Sequence, residues 1–115
     1  MDAKTDELRA AHDVLAAWYA EHLVGVLEGM PVERAVLDLF CESTLAADLG
    51  VVVGDVGSGT GRLAPYLAAR GLSPRGIDLS AEMVRVARRD YPDFAFDVAD
   101  LRGLPFEDAS LAGVV

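Results

Sequence analysis

Three glycines at alternate positions, Gly57, Gly59 and Gly61, follow an apolar run and a single acid, Asp55, in the stretch VVVGDVGSGTG. Bare glycines between a strand and a helix let the chain turn tightly and let a ligand approach the backbone. Amides at the start of the next helix carry partial positive charge, which suits a phosphate or a carboxylate. A second acid, Asp78, stands about 20 residues on, where in a doubly wound sheet an acid accepts hydrogen bonds from ribose hydroxyls. Together they predict a ligand with a ribose and a further group seated against the glycines.

Glycine spacing separates two cofactor classes. A dinucleotide fingerprint reads G-x-G-x-x-G. In GSGTG the third glycine falls one residue early, and Arg62 occupies the place of the last glycine, where close helix–strand packing wants no side chain. This disfavours a dinucleotide, so an NAD(P)-binding Rossmann oxidoreductase is the alternative rather than the first reading.

These residues need a scaffold, and the periodicity supplies one. Residues 5–28 read as an amphipathic helix with Leu8, Ala11, Leu15, Trp18, Tyr19, Leu23, Val26 and Leu27 on one face, ended by Gly29 and Pro31. A second helix is expected over residues 32–49, using Ala35, Val36, Leu39, Phe40, Leu45 and Leu49, with Gly50 as its stop. VVVGDVG then reads as a strand buried on both faces. RLAPYLAARG gives a helix with Pro65 in its first turn, and residues 75–79 a second strand. Ser80 is placed to cap the helix AEMVRVARRDY, which Pro92 ends. FAFDVAD alternates as a third strand, LRGLPFEDAS is a loop, and LAGVV a fourth strand.

The predicted fold is therefore α/β: a Rossmann-like, doubly wound, mainly parallel sheet of about four strands behind two N-terminal helices. It reads as a single domain over residues 1–115, with a helical cap over 1–50 and a half-sheet over 51–115. The sequence is expected to be a fragment that stops within its fourth strand, whose open edge offers a route to self-association. A non-catalytic module pairing through that edge is a further alternative.

Composition narrows the partners. The net charge of −9 opposes a polyanion, and the one basic concentration, RVARRD, sits among acids as an ordinary solvated helix face. No nucleic acid is expected. No apolar stretch approaches the roughly 20 residues that span a bilayer, so no membrane is expected either. The single Cys41 reads as a buried helix residue, and with no export signal in MDAKTDELRAAHD it points to the cytoplasm. His12 and His22 stand ten residues apart with no acid or cysteine at ligand spacing, so no metal site is expected.

At this point the chain from residue 51 onward resembles the class I S-adenosylmethionine-dependent methyltransferases, whose glycine loop reads acid-x-Gly-x-Gly-x-Gly. GDVGSGTGRLAPYLAARG, RGIDLSAEMVRVARR and FAFDVADLRGLPFEDASLAGVV match successive parts of that pattern. The resemblance implies S-adenosyl-L-methionine as cofactor and a small-molecule methyl acceptor. It places Gly57, Ser58, Gly59 and Gly61 against the methionine part, and Asp55 at the cofactor's amino end. It puts Asp78 on the ribose hydroxyls, Leu79 and Met83 beside the adenine, and Asp100 on the adenine amino group. The Leu101 amide would meet a ring nitrogen. Tyr19, in a helix that in this family covers the cofactor, could turn its aromatic face to a cation, although plain packing of Trp18 and Tyr19 explains them as well. No catalytic residue is implied, since methyl displacement needs mainly positioning and desolvation.

Overall fold

A computed structural model describes residues 3–22, 26–100 and 111–115. The elements run α1 (Ala3–His22), a 3-10 turn (Val26–Gly29), α2 (Pro31–Ala46), β1 (Val52–Val56), α3 (Ala64–Ala69), β2 (Ser73–Asp78), α4 (Ala81–Asp90), β3 (Ala95–Val98) and β4 (Gly113–Val114). All strand pairs are parallel, in the order β3-β2-β1-β4. The α/β architecture, the succession of elements along the chain and the parallel pairing agree with the periodicity.

The two N-terminal helices are shorter than expected and turn different faces inward. The carbonyls of Leu27 and Glu28 are taken by the Arg34 guanidinium, which holds them in the 3-10 turn rather than in a helical ladder. In α1 the expected stripe is largely open: Leu8, Leu15 and Trp18 are 54, 39 and 48% exposed. Ala16 is fully buried instead, against Met83 and Val86 of α4, with Tyr19 and Ala20 packed beside it. Two hydrogen bonds fix this rotation. The Asp13 carboxylate accepts from the Ser80 hydroxyl and, at 3.2 Å, from the Glu82 amide, so α1 is tethered to the N-terminus of α4 by a polar residue that the apolar pattern ignores.

Likewise α2 buries Leu37, Cys41 and Thr44, while Val36 and Leu39 are 61 and 64% exposed. It ends at Ala46, three residues early, because Asp48 enters the left-handed region at φ 53°. A side-chain interlock joins α2 to α3. The Tyr66 hydroxyl donates to Asp38 at 2.6 Å, and Arg70 donates to the same carboxylate while lying over the Tyr66 ring at 3.4 Å. These two partners hold the Asp38 carboxyl below the usual carboxylate range.

Cys41 sits, as expected, in a buried cluster with Val53, Leu67 and Leu72. A second cluster of Ala64, Val84, Ala87 and Phe96 joins α3 and α4 to β3. The register sets Asp55, Gly76 and Phe96 in one row across β1, β2 and β3. Within RVARRD, Arg85 pairs with Glu82 and Arg89 with Asp90, as a solvated face should. Arg88 does more: its guanidinium donates to the Phe96 carbonyl at 3.0 and 2.6 Å and so closes off part of the β3 edge. The fourth strand pairs with β1, the Val56 amide donating to the Val115 carbonyl at 3.1 Å and Val115 to Gly54 at 2.8 Å.

Two measurements follow from this packing. A methyl at Gly76 would lie 2.4 Å from Phe96 Cδ1 and 2.9 Å from Ser58 Oγ, so Gly76→Ala should destabilise by about 1–3 kcal/mol in urea unfolding. Combining it with Phe96→Leu should recover part of that loss in a double-mutant cycle; strict additivity would contradict the contact. Ser80 accepts from the Met83 amide at 3.1 Å, and Ser80→Ala should cost about 1 kcal/mol as a lost cap. Because Asp13 loses one of its two partners, keeping only the Glu82 amide, amide exchange in α1 should speed up in the same variant.

Candidate functional site

The glycine loop leaves β1 and hooks back onto β2. The amides of Gly57 and Ser58 both donate to the Ile77 carbonyl, at 2.8 and 3.0 Å, and the Gly61 amide returns to the Ser58 carbonyl at 3.0 Å. Gly57 and Gly59 hold φ of 72° and 57°, a region that side chains disfavour. A Cβ added at either would meet nothing within 4 Å. Both residues line a cavity, so their missing side chains leave its wall as bare backbone.

Asp78 connects this loop to the next helix. Its Oδ2 accepts from the Gly59 amide at 2.8 Å and its Oδ1 from the Ser80 amide at 2.9 Å. Each carboxylate oxygen retains a further lone pair, and Asp78 lines the cavity with them. The sequence expected unpaired amides at a helix start straight after the glycines. Instead α3 begins only at Ala64, and the amides of Gly57, Ser58, Gly59 and Gly61 are taken up inside the protein. The loop therefore offers shape and carboxylate lone pairs more than open donors.

The cavity measures about 780 Å³, within the usual size of small-molecule sites. It brings together Gly57, Ser58, Gly59, Asp78, Leu79, Met83 and Asp100, seven of the positions singled out in the sequence. Asp55 and Gly61 lie outside its lining, and Leu101 lies outside the described residues. Gly61 has another partner. A Cβ there would stand 2.7 Å from Phe96 Cζ and 3.2 Å from Ala87 Cβ, so this glycine makes room for the β3 aromatic against α4.

Asp55 lies in β1 at the foot of the loop, only 3% exposed, and its Oδ2 has no hydrogen bond; nor does the buried Ser58 Oγ. Burial pushes the Asp55 carboxyl up to about 7; Arg62 offsets part of this, and the Asp78 charge adds to it. Two orphaned polar atoms beneath a bare backbone wall are the mark of a site built for a polar ligand or its ordered water.

Sequence reasoning missed most of the wall that α1 contributes. Thr5, Leu8, His12 and Tyr19 line the cavity, at spacings of three, four and seven. That spacing was legible, but the mixed polarity of these residues hid it from an apolar pattern. Tyr19 is there as its aromatic face allowed, whereas Trp18 is outside, stacked on His22 at 4.6 Å. Val56, Thr60, Arg62, Ile77 and Ala99 complete the lining.

Known proteins share this loop and its surroundings. Residues 53–115 match a family model described as a methyltransferase domain. The chain is 31% identical over 116 residues to demethylmenaquinone methyltransferase of Renibacterium salmoninarum, covering 99% of this chain and 47% of that protein. Against the protein of the same name from Chlorobaculum parvum it is 42% identical over 57 residues, covering 49% of this chain and 24% of the other. The chain thus spans about half the length of the first curated relative and about a quarter of the second. Among solved structures, magnesium protoporphyrin IX methyltransferase from Synechocystis, with S-adenosylhomocysteine bound, aligns with a TM-score of 0.51 at 27% identity, over 65% of this chain and 38% of that one. A chain of the Haloferax volcanii complex between the Trm112 methyltransferase activator and a candidate methyltransferase gives 0.54 at 28% identity, over 90 and 45%.

The buried acid makes a pH prediction. Its folded-state pKa of about 7 lies above the ordinary 3.8, so between those values the folded chain holds a proton that the unfolded chain has released. Stability from this group is complete below about pH 4 and is lost as pH rises towards 7. Asp55→Asn should therefore gain on the parent as pH rises from about 5 to about 7, by about 1.4 kcal/mol for each pH unit, and level off above that. Parallel urea titrations at the two pH values check this, and a constant difference would contradict it.

Proposed function

Since the chain belongs to the class I S-adenosylmethionine-dependent methyltransferase family, we propose that its glycine-loop cavity holds S-adenosyl-L-methionine for methyl transfer to a small molecule. The observation that carries this reading is Asp78. Its carboxylate stands at the end of β2, anchored by the Gly59 and Ser80 amides, with unused lone pairs on the cavity wall. A carboxylate held in that way is a good acceptor for the paired hydroxyls of a ribose.

The remaining roles divide by chemistry. Gly57 and Gly59, without side chains, and Ser58 between them provide the wall for the methionine part. Leu79 and Met83 are the apolar neighbours that a flat adenine prefers, and Asp100 is the acceptor for its amino group. Asp55 and Gly61 act from beneath: one as a buried carboxyl with an unpaired oxygen under the loop, the other by making room for Phe96. When bound, the cofactor supplies a methyl group on a cationic sulfur, and the acids of this cavity favour a cation over a pyrophosphate. That supports the sulfonium cofactor over a dinucleotide, in keeping with the early third glycine.

The acceptor reading comes from the curated relatives. Two share the name demethylmenaquinone methyltransferase, and an aromatic ring related to a quinone is the acceptor class we assign. Leu8 and Tyr19, which line the cavity from α1, suit such a ring.

Calorimetric titration tests the cofactor. The chain should bind S-adenosylhomocysteine and ignore NADH. Asp78→Asn should weaken the first by about 1–3 kcal/mol, the loss of charge-assisted hydrogen bonds. Equal affinity in a folded variant would remove Asp78 from the ribose, and preference for NADH would overturn the cofactor.

A further inference from the structure

We propose that His12 is the proton acceptor on the acceptor side of the cavity, and that it selects methyl acceptors carrying a weakly acidic hydroxyl, a phenol or hydroquinone. The proposal rests on the cofactor reading above and adds to it the class of acceptor and the residue that recognises it.

A local bond sets the tautomer. His12 Nδ1 lies 2.8 Å from the Leu8 carbonyl, one helical turn back. A carbonyl can only accept, so Nδ1 carries the hydrogen, and in the neutral ring Nε2 is left as a bare acceptor. Among the described residues no hydrogen bond to Nε2 is seen, and His12 belongs to the lining of the same cavity as the glycine loop. His22 makes the same turn-back bond, to the Trp18 carbonyl at 2.9 Å, but it stacks on Trp18 and is not part of the wall. The local bond is thus a property of the helix. Of the two, only His12 belongs to the lining of the cavity.

The other charged and titratable groups of the wall have different work. Arg62 is a donor, Asp78 is tied to two amides, and Asp78 and Asp100 suit the hydroxyls and amino group of the cofactor. Tyr19 brings a ring and a hydroxyl from the same helix. Asp13, next to His12 in sequence, is turned away to the Ser80 hydroxyl and the Glu82 amide. That last contact also matters for position, since it fixes the rotation of α1 and with it the direction of its cavity stripe.

The proton balance is simple. The acceptor O–H bond breaks, its electron pair stays with the oxygen, and the hydrogen forms an N–H bond on Nε2. An acceptor electron pair forms the bond to the methyl carbon as that carbon's bond to sulfur breaks and leaves its pair on a neutral thioether. One proton leaves the acceptor as one methyl cation arrives, so the acceptor's own charge does not change. Imidazolium charge appears on His12 as the sulfonium charge is lost, and the cavity carries the same total throughout. A neutral imidazole is suited to this because it can take and return a proton near neutrality.

The test uses the full chain with S-adenosylhomocysteine and 1-naphthol, a stable phenolic probe, with 1-methoxynaphthalene as the ether that lacks the hydrogen. In nitrogen-15 spectra, 1-naphthol should shift the Nε2 resonance of His12 in the S-adenosylhomocysteine complex, and the ether should not. His12→Gln should keep its S-adenosylhomocysteine affinity within about twofold and lose about tenfold or more for 1-naphthol, the scale of one hydrogen bond to a charge-sharing partner. His22→Gln should change neither. A silent Nε2 resonance, or equal 1-naphthol affinity in the folded His12 variant, overturns the assignment while leaving the cofactor reading intact. No S-adenosylhomocysteine binding by the unmodified chain overturns both.

Discussion

The Asp78 carboxylate is the joint on which the site depends. One oxygen holds the Gly59 amide and the other the Ser80 amide, so a single side chain fixes the glycine loop against the start of α4. The chain of bonds continues outward. Ser80 caps α4 through the Met83 amide and donates its hydroxyl to Asp13, which brings α1 over the cavity. Loop, second strand, fourth helix and N-terminal helix are thus positioned by one short hydrogen-bonded path. Each link satisfies backbone or hydroxyl groups that would be costly to leave unpaired.

Beneath that path the packing is governed by one aromatic residue. Phe96 of β3 occupies space that a side chain at Gly76 or Gly61 would deny it, and it joins Ala64, Val84 and Ala87 in the core. The third glycine of the motif therefore serves the interior, while the first two form the wall of the cavity. One short motif serves both purposes because the turn closed by the Gly61 amide on the Ser58 carbonyl carries the chain from the cavity wall back to the core. Asp55 lies in the same row of the sheet as Gly76 and Phe96, removed from water but without a partner for Oδ2. A buried acid of this kind subtracts from stability at neutral pH, the usual state of groups retained for binding rather than for folding.

Much of this was legible in the residues. Glycine and β-branched runs marked the strands, Ser80 announced its helix, and Asp55, Gly57 and Asp78 stood at spacings that a cofactor loop requires. The faces of α1 and α2 were not legible. An apolar stripe selected Leu8, Leu15, Trp18, Val36 and Leu39, yet these remain exposed or half exposed; in α1 the reason is that Asp13 and the small Ala16 decide how the helix lies on α4. Periodicity weighs hydrophobicity alone, and it misses a rotation set by a polar tether to a partner 67 residues away.

The sequence by itself determined the order of the elements, the parallel sheet and the identity of the loop, since local propensity and glycine spacing act within a few residues. Only the tertiary structure decided which glycines line the cavity, which acid is buried and which α1 residues join them. Those outcomes depend on contacts between segments far apart in the chain, where strand register and helix rotation fix direction. His12 shows the difference. In the sequence it stands only as a metal-ligand candidate without partners at ligand spacing, and only the docking of α1 makes it part of the cavity wall.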